Sequence, residues 1–192
     1  EYVMGWLLAI ERNVISRASH TQWTPSLEPR ITGKRLGVMG TGGIGTAIAL
    51  AAKSFGVEVI GLNSDGLAVD GFTACYPSTD RLAFAERLDY LVSVLPQTSQ
   101  TDNLIDHEVL TRLNPGAIVI NAGRGNAVVE ADLIASLNAG HVRAAVLDVF
   151  REEPLPPDDP LWSTPGVHIT SHTAGPTPDE AIGEVFERNL KL

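Results

Sequence analysis

Apolar positions recur along this chain in two periods, and their alternation sketches the fold. Val3, Leu7, Ile10 and Val14 lie along one face at helical spacing, with no capping residue before them. Because Glu1 stands first, this reads as a helix whose preceding sequence lies outside the chain. A polar, proline-containing loop is expected over 19–33. Short apolar runs at 35–39, 57–60, 90–95, 117–121, 142–149 and 167–169 then predict strands. Such near-continuous runs mark strands covered on both faces. Between them, helices are predicted over 44–55, 79–87, 107–113 and 130–138, and Pro178 opens a last one. Ser78 and Asp106 are placed to cap helix starts. Gly56 and Gly140 stand where a left-handed residue ends a helix, and Asn114-Pro115-Gly116 breaks another. Buried strands alternating with helices imply parallel βαβ units, hence an α/β fold with a doubly wound parallel sheet.

Composition narrows the function classes. The chain has 192 residues, 44% apolar and 19% charged, ordinary for one globular domain. Its net charge of −9 argues against nucleic acid or an acidic membrane surface as a partner. Apolar runs such as 6–10 fall far short of a membrane span, and nothing resembles a secretory signal. Cys75 is alone, so no internal disulfide is possible, which fits a reducing, cytoplasmic setting. An anionic substrate would need a few placed cations, since the overall field repels it.

One glycine-rich segment changes the picture. Gly40-Thr41-Gly42-Gly43-Ile44-Gly45 is a G-x-G-x-x-G run. Alone it reads equally well as a plain glycine loop. Here a predicted strand precedes it and a helix follows, the context in which such a run binds a dinucleotide. One glycine makes the turn, one admits backbone to the pyrophosphate, and one lets helix pack on strand. The helix start offers free amides to phosphate, Gly43 and Ile44 among them. An acidic residue about 20 positions on would hold the ribose. The best-placed residue is Asn63, uncharged, followed by Ser64. No arginine stands at 62–66 and Asp65 is nearby, while Lys53 and Arg81 are the distant cations that could approach. The reading is NAD or NADP, with NADP modestly ahead. No metal site is assigned.

Three polar clusters follow apolar strands, where an open α/β sheet forms its ligand crevice. They are Asn121-Ala122-Gly123-Arg124-Gly125, the 147–156 stretch around Asp148 and Glu153, and Thr170-Ser171-His172-Thr173-Ala174-Gly175. A guanidinium fork suits a carboxylate and an adjacent oxo oxygen; an imidazole can give and take a proton. A carboxylate paired with that imidazole fixes its tautomer and favours the imidazolium. Taken singly, an arginine after a strand, a loop histidine or a Glu beside Glu152 is ordinary polar surface. His20, His107, His141 and His168 are left in that class.

In order and together with the glycine turn and the Leu95-Pro96 loop, these clusters resemble the cofactor domain of the D-isomer-specific 2-hydroxyacid dehydrogenases, over nearly the whole chain. The resemblance implies a Rossmann-like dinucleotide-binding domain over 1–192, with a linking helix at each end and a substrate domain outside this sequence. It implies hydride transfer between NAD(P)H and a small 2-oxo or D-2-hydroxy acid such as glyoxylate, hydroxypyruvate or phosphoglycerate. Arg124, Glu153 and His172 match the family's catalytic three. Ala122, Gly123, Arg124, His172, Ala174 and Gly175 would line the nicotinamide side. Asp148 would sit by the carboxamide, although an Asp ending a strand serves equally to cap the next turn. The chain has Arg151 where the family often has Glu, and Ser171 where it often has Pro. Trp23 and the opening helix resemble a segment used in dimer contacts; an ordinary core aromatic is the other reading of Trp23. A corepressor of the same fold, sensing dinucleotide, is the alternative function.

Overall fold

The computed structural model describes residues 1–175. The helix expected from Pro178 lies outside them, and with it the second linking helix. Seven strands form one wholly parallel sheet in the order β3-β2-β1-β4-β5-β6-β7. They are β1 (Arg35–Met39), β2 (Glu58–Asn63), β3 (Ala74–Pro77), β4 (Tyr90–Ser93), β5 (Ala117–Asn121), β6 (Val142–Leu147) and β7 (Val167–Ile169). Every residue of β4 and β5 is buried, as the unbroken apolar runs require.

Helices cover both faces. On one, α1 (Tyr2–Glu11) and α3 (Gly43–Lys53) bury Val3, Met4, Leu7, Ile48, Ala49 and Ala52. On the other, α4 (Arg81–Ala85), α5 (His107–Arg112) and α6 (Glu130–Asn138) bury Phe84, Val109, Leu110, Leu133 and Leu137. Each of the larger side chains withdrawn from water in this way contributes roughly 1.5–3 kcal/mol, and the alanines less. Chain order reverses between β1 and β4, which pair as Met39↔Ser93. At such a switch point the loops leaving the two strands part and open a crevice at their carboxyl ends.

Several expectations change. The opening stripe does not run unbroken to Val14: Asn13 takes a left-handed conformation (φ 52°), and α2 (Val14–Ala18) starts afresh with no buried residue. Ser78 is no cap, because Ser78–Asp80 is a short 3-10 turn and α4 begins only at Arg81. β3 was not expected; it is short, at the sheet edge and only part-buried, so its sequence carries little apolar signal. Asp106 does cap α5, accepting from the Val109 amide, and Gly56 and Gly140 are left-handed. Trp23 is no core aromatic: it is 95% exposed. His168 is part-buried, not plain polar surface. Its ring lies 5.1 Å from that of Trp6, and burial lowers its pKa.

Candidate active site

The glycine turn behaves as its pattern requires. Gly40 leaves β1 at φ 101°, and a Cβ on Gly45 would stand 1.9 Å from the Gly40 carbonyl oxygen. No other residue fits that approach. A Cβ on Gly42 or Gly43 would meet nothing, so open space lies above the start of α3. Gly42 caps that helix without any side-chain bond, which leaves the first amides, those of Gly43, Ile44 and Gly45, without intrahelical acceptors. A concave backbone with free donors and the positive end of a helix fits a pyrophosphate.

Beside it lies a cavity of about 330 Å³ lined by Thr41, Asn63, Ser64, Leu95, Pro96 and Thr101, among others. Asn63 ends β2 there, but its amide is already engaged. Nδ2 donates to Leu67 O (2.9 Å) and Thr41 Oγ1 (3.2 Å), and Oδ1 accepts from Gly66 N (2.6 Å). Neither distant cation serves the site. Arg81 grips Asp106 and Glu108. Lys53 closes α3, some ten residues and therefore ~15 Å along the helix from the glycines.

The three polar clusters converge at the carboxyl ends of β5, β6 and β7. After β5, the buried Asn121 holds the Arg124 loop by donating to Arg124 O (3.0 Å) and accepting from Gly123 N (3.2 Å). Gly125 then presses against the next loop, for a Cβ there would lie 1.9 Å from the Phe150 carbonyl carbon. This close approach brings Arg124, exposed and extended, beside the Glu153 turn. Glu153 accepts from Phe150 N (2.9 Å) on one oxygen and meets His172 Nδ1 (2.8 Å) on the other. Burial pushes the Glu153 carboxyl up, but the bonds from His172 and Phe150, with the charges of His172 and Arg124, outweigh it and hold the pKa below its usual value. A second cavity, about 440 Å³, opens at this pair, walled by Phe150, Leu155, Trp162 and Ile169.

Asp148 takes the turn-capping role. Its carboxylate accepts from the Thr173 and Ala174 amides (2.8 Å each) and from the Thr170 hydroxyl. Burial raises its pKa, yet those bonds and the nearby His172 leave it lowered overall. Ala122 and Gly123 follow β5, while Ala174 and Gly175 end the described chain in the segment that Asp148 gathers. From sequence, Asn121 and Gly125 were only members of a polar cluster and Arg151 only a departure from the family pattern, without assigned roles, and Trp162 was not singled out. Arg151 donates to the carbonyls of Asn126 (2.9 Å) and Val128 (2.7 Å), tying the loop after Arg124 to the loop before Glu153. Only the Asn121 signal, a polar residue closing an apolar strand, was present to be read.

The sequence and the fold also match known proteins. The sequence model of the D-isomer specific 2-hydroxyacid dehydrogenase NAD binding domain matches residues 4–174. A glyoxylate/hydroxypyruvate reductase A of Yersinia enterocolitica is 37% identical over 190 residues, covering 96% of this chain and 60% of the relative. Among solved structures, a D-isomer specific 2-hydroxyacid dehydrogenase family protein of Aeromonas salmonicida matches with TM-score 0.90 and 37% identity, over 99% of this chain and 62% of that one. An NADPH-dependent glyoxylate/hydroxypyruvate reductase of Sinorhizobium meliloti, in complex with NADP and sulfate, matches with TM-score 0.85 and 30% identity, over 98% and 61%. The chain thus spans about 60% of the length of these relatives. By the match of its sequence and of its fold, the chain belongs to the D-isomer specific 2-hydroxyacid dehydrogenases, as an NAD(P)-binding domain of that family.

Proposed function

We propose that this chain is the cofactor domain of an NAD(P)-dependent reductase acting mainly on small 2-oxo acids, glyoxylate and hydroxypyruvate foremost. The observation that carries it is the Glu153–His172 pair at 2.8 Å, with the Arg124 loop packed against the Glu153 turn. Nicotinamide, when bound, supplies the hydride. The protein does the rest. Arg124 grips the substrate carboxylate and 2-oxo oxygen, orienting the carbonyl and stabilising the negative charge that grows on it. Glu153 occupies Nδ1 of His172, leaving Nε2 to hand a proton to that oxygen, and to take it back in the reverse direction. Gly42–Gly45 backbone would hold the pyrophosphate, and Asn63 and Ser64 would face the ribose. Leu95, Pro96, Ala122, Gly123, Ala174 and Gly175 would line the nicotinamide end.

Either cofactor is accepted, with NADP modestly ahead, because Asn63 brings no carboxylate to repel a 2′-phosphate. The reductase of Sinorhizobium meliloti, which is NADPH-dependent, is in keeping with this. The substrate domain lies in flanking sequence. The protein works in the cytoplasm as a homodimer, whose contact uses the opening helix and Trp23, which is exposed. Absorbance loss of NADH and NADPH with glyoxylate, hydroxypyruvate and pyruvate tests the reading on the full-length protein. Cofactor binding with no turnover of any 2-oxo acid would sink it.

A further inference from the structure

His172 stands in an unusual backbone conformation, and the means of holding it there extends to the other end of the described chain. Its φ is 55°, the left-handed region that a β-carbon disfavours. Such strain persists only where surrounding contacts over-determine it. Glu153 holds the ring, and the backbone contacts come from one residue. Asp148 accepts the His172 amide on its backbone oxygen (2.8 Å), the Thr173 amide on Oδ1 and the Ala174 amide on Oδ2. Asp148 is 1% exposed, so its carboxylate depends on these partners in place of water.

One further partner completes the set. The Thr170 hydroxyl is bonded both to Asp148 Oδ1 and to the Tyr2 hydroxyl (2.6 Å). An ionised carboxylate only accepts, so the single Thr170 proton goes to Asp148. The Tyr2 hydroxyl must then donate to Thr170. The order of donation is therefore Tyr2 to Thr170 to Asp148, linking α1 to the His172 loop. Trp6, one turn along the same helix, packs with its ring tilted against His168 two residues before Thr170, so the docking of α1 sets where this hydroxyl stands.

We propose that Thr170 and Tyr2 are positioning residues for His172, acting through Asp148. The proposal rests on the reading of His172 as the acid–base group. Thr170→Val removes a bond to a buried charge and should lower kcat about tenfold or more, the worth of such a bond, with cofactor Kd nearly unchanged. Thr170→Ser, which keeps the hydroxyl, should return kcat to within about twofold, and Tyr2→Phe, losing a neutral bond, should cost about two- to fivefold. Amide exchange supplies a readout independent of turnover: His172, Thr173 and Ala174 should exchange faster in Thr170→Val and in Tyr2→Phe than in wild type.

All measurements use the full-length protein. Unchanged kcat and unchanged exchange in Thr170→Val overturn the proposal, as does a kcat loss that serine fails to restore. Should Thr170→Val not fold, Tyr2→Phe decides on the same two readouts. If wild type turns over no 2-oxo acid, the proposed function fails; the exchange of the three amides then decides on its own whether Thr170 and Tyr2 hold the loop.

Discussion

At the scale of single residues, His172, Glu153 and Arg124 divide the work by what each side chain can exchange. His172→Ala in the full-length protein should cut kcat by roughly 10²–10⁴-fold, the usual worth of a general acid–base group, with cofactor affinity little altered. Steady-state kinetics with a titration of NADPH binding checks this, and near-normal turnover removes His172 from the mechanism. Arg124→Ala should raise KM and lower kcat together, because a carboxylate clamp acts on bound substrate and on developing charge alike. A pure kcat defect argues against the clamp. Asn63 is a different case, since its amide already bridges Thr41, Gly66 and Leu67. Asn63→Asp keeps the bond from Gly66 but turns a carboxylate oxygen towards Leu67 O. Both cofactors should bind less well, NADPH losing more through like-charge repulsion. The ratio of kcat/KM for the two reads this out; an unmoved ratio means that Asn63 shapes the turn and selects nothing.

At the scale of elements, the site is made by strand ends and by glycines that let loops touch. Gly45→Ala places a Cβ 1.9 Å from a backbone oxygen, an atom that cannot swing aside as a side chain can. Either α3 or the β1 turn must move. The expected result is a loss of about 1–3 kcal/mol in stability, the usual range for overpacking, and a larger loss in dinucleotide affinity. Denaturant melts and cofactor titration separate the two, and a variant with wild-type affinity would show that α3 need not lie so close. The elements most legible beforehand were those with one dominant signal. β5 is five consecutive buried residues, and α5 has its capping aspartate. α4 was legible as a helix but not in its bounds, since five residues leave no clear ends, and β3, a part-buried edge, leaves no clear period in the sequence.

At the scale of the whole molecule, two expectations follow from openness and charge. The Glu153 and His172 side chains are 35% and 49% exposed, so water reaches the place where a proton must be delivered. The isolated 192-residue chain should therefore bind dinucleotide yet reduce oxo acids barely at all, since nothing excludes water from the reaction. Robust turnover by this chain alone refutes the two-domain reading. The second concerns acid. Asp148, Asp106 and Glu153 all have folded pKa values below their ordinary ones of 3.8, 3.8 and 4.5. A lowered carboxylate pKa contributes stability that is complete above the unfolded value and disappears as pH falls through the folded one. Thermal melts should be flat with respect to these groups above about pH 5.5 and fall steeply below about pH 4. Asp148→Asn should be less stable at neutral pH and flatten the acid limb; an unchanged limb would mean that its bonds are worth no more than those of water.

What the sequence determined by itself was whatever is written locally or in order: the parallel α/β sheet, the glycine turn and the three polar clusters at strand ends. Backbone sterics and burial act over a few residues, and a pyrophosphate turn needs its glycines at set spacing, so these are readable from the chain alone. The tertiary structure alone decided which polar groups meet. That Asp148 holds the 170–174 segment, whatever it faces besides, is visible only in the fold. Asn63 at the end of β2 proved to bond Leu67 as well as to border the glycine turn, and Arg81 to be engaged by Asp106 and Glu108. Each of these outcomes turns on hydrogen bonds between residues that different segments bring together, and the competition among partners for a donor or a charge exists only once the chain has folded.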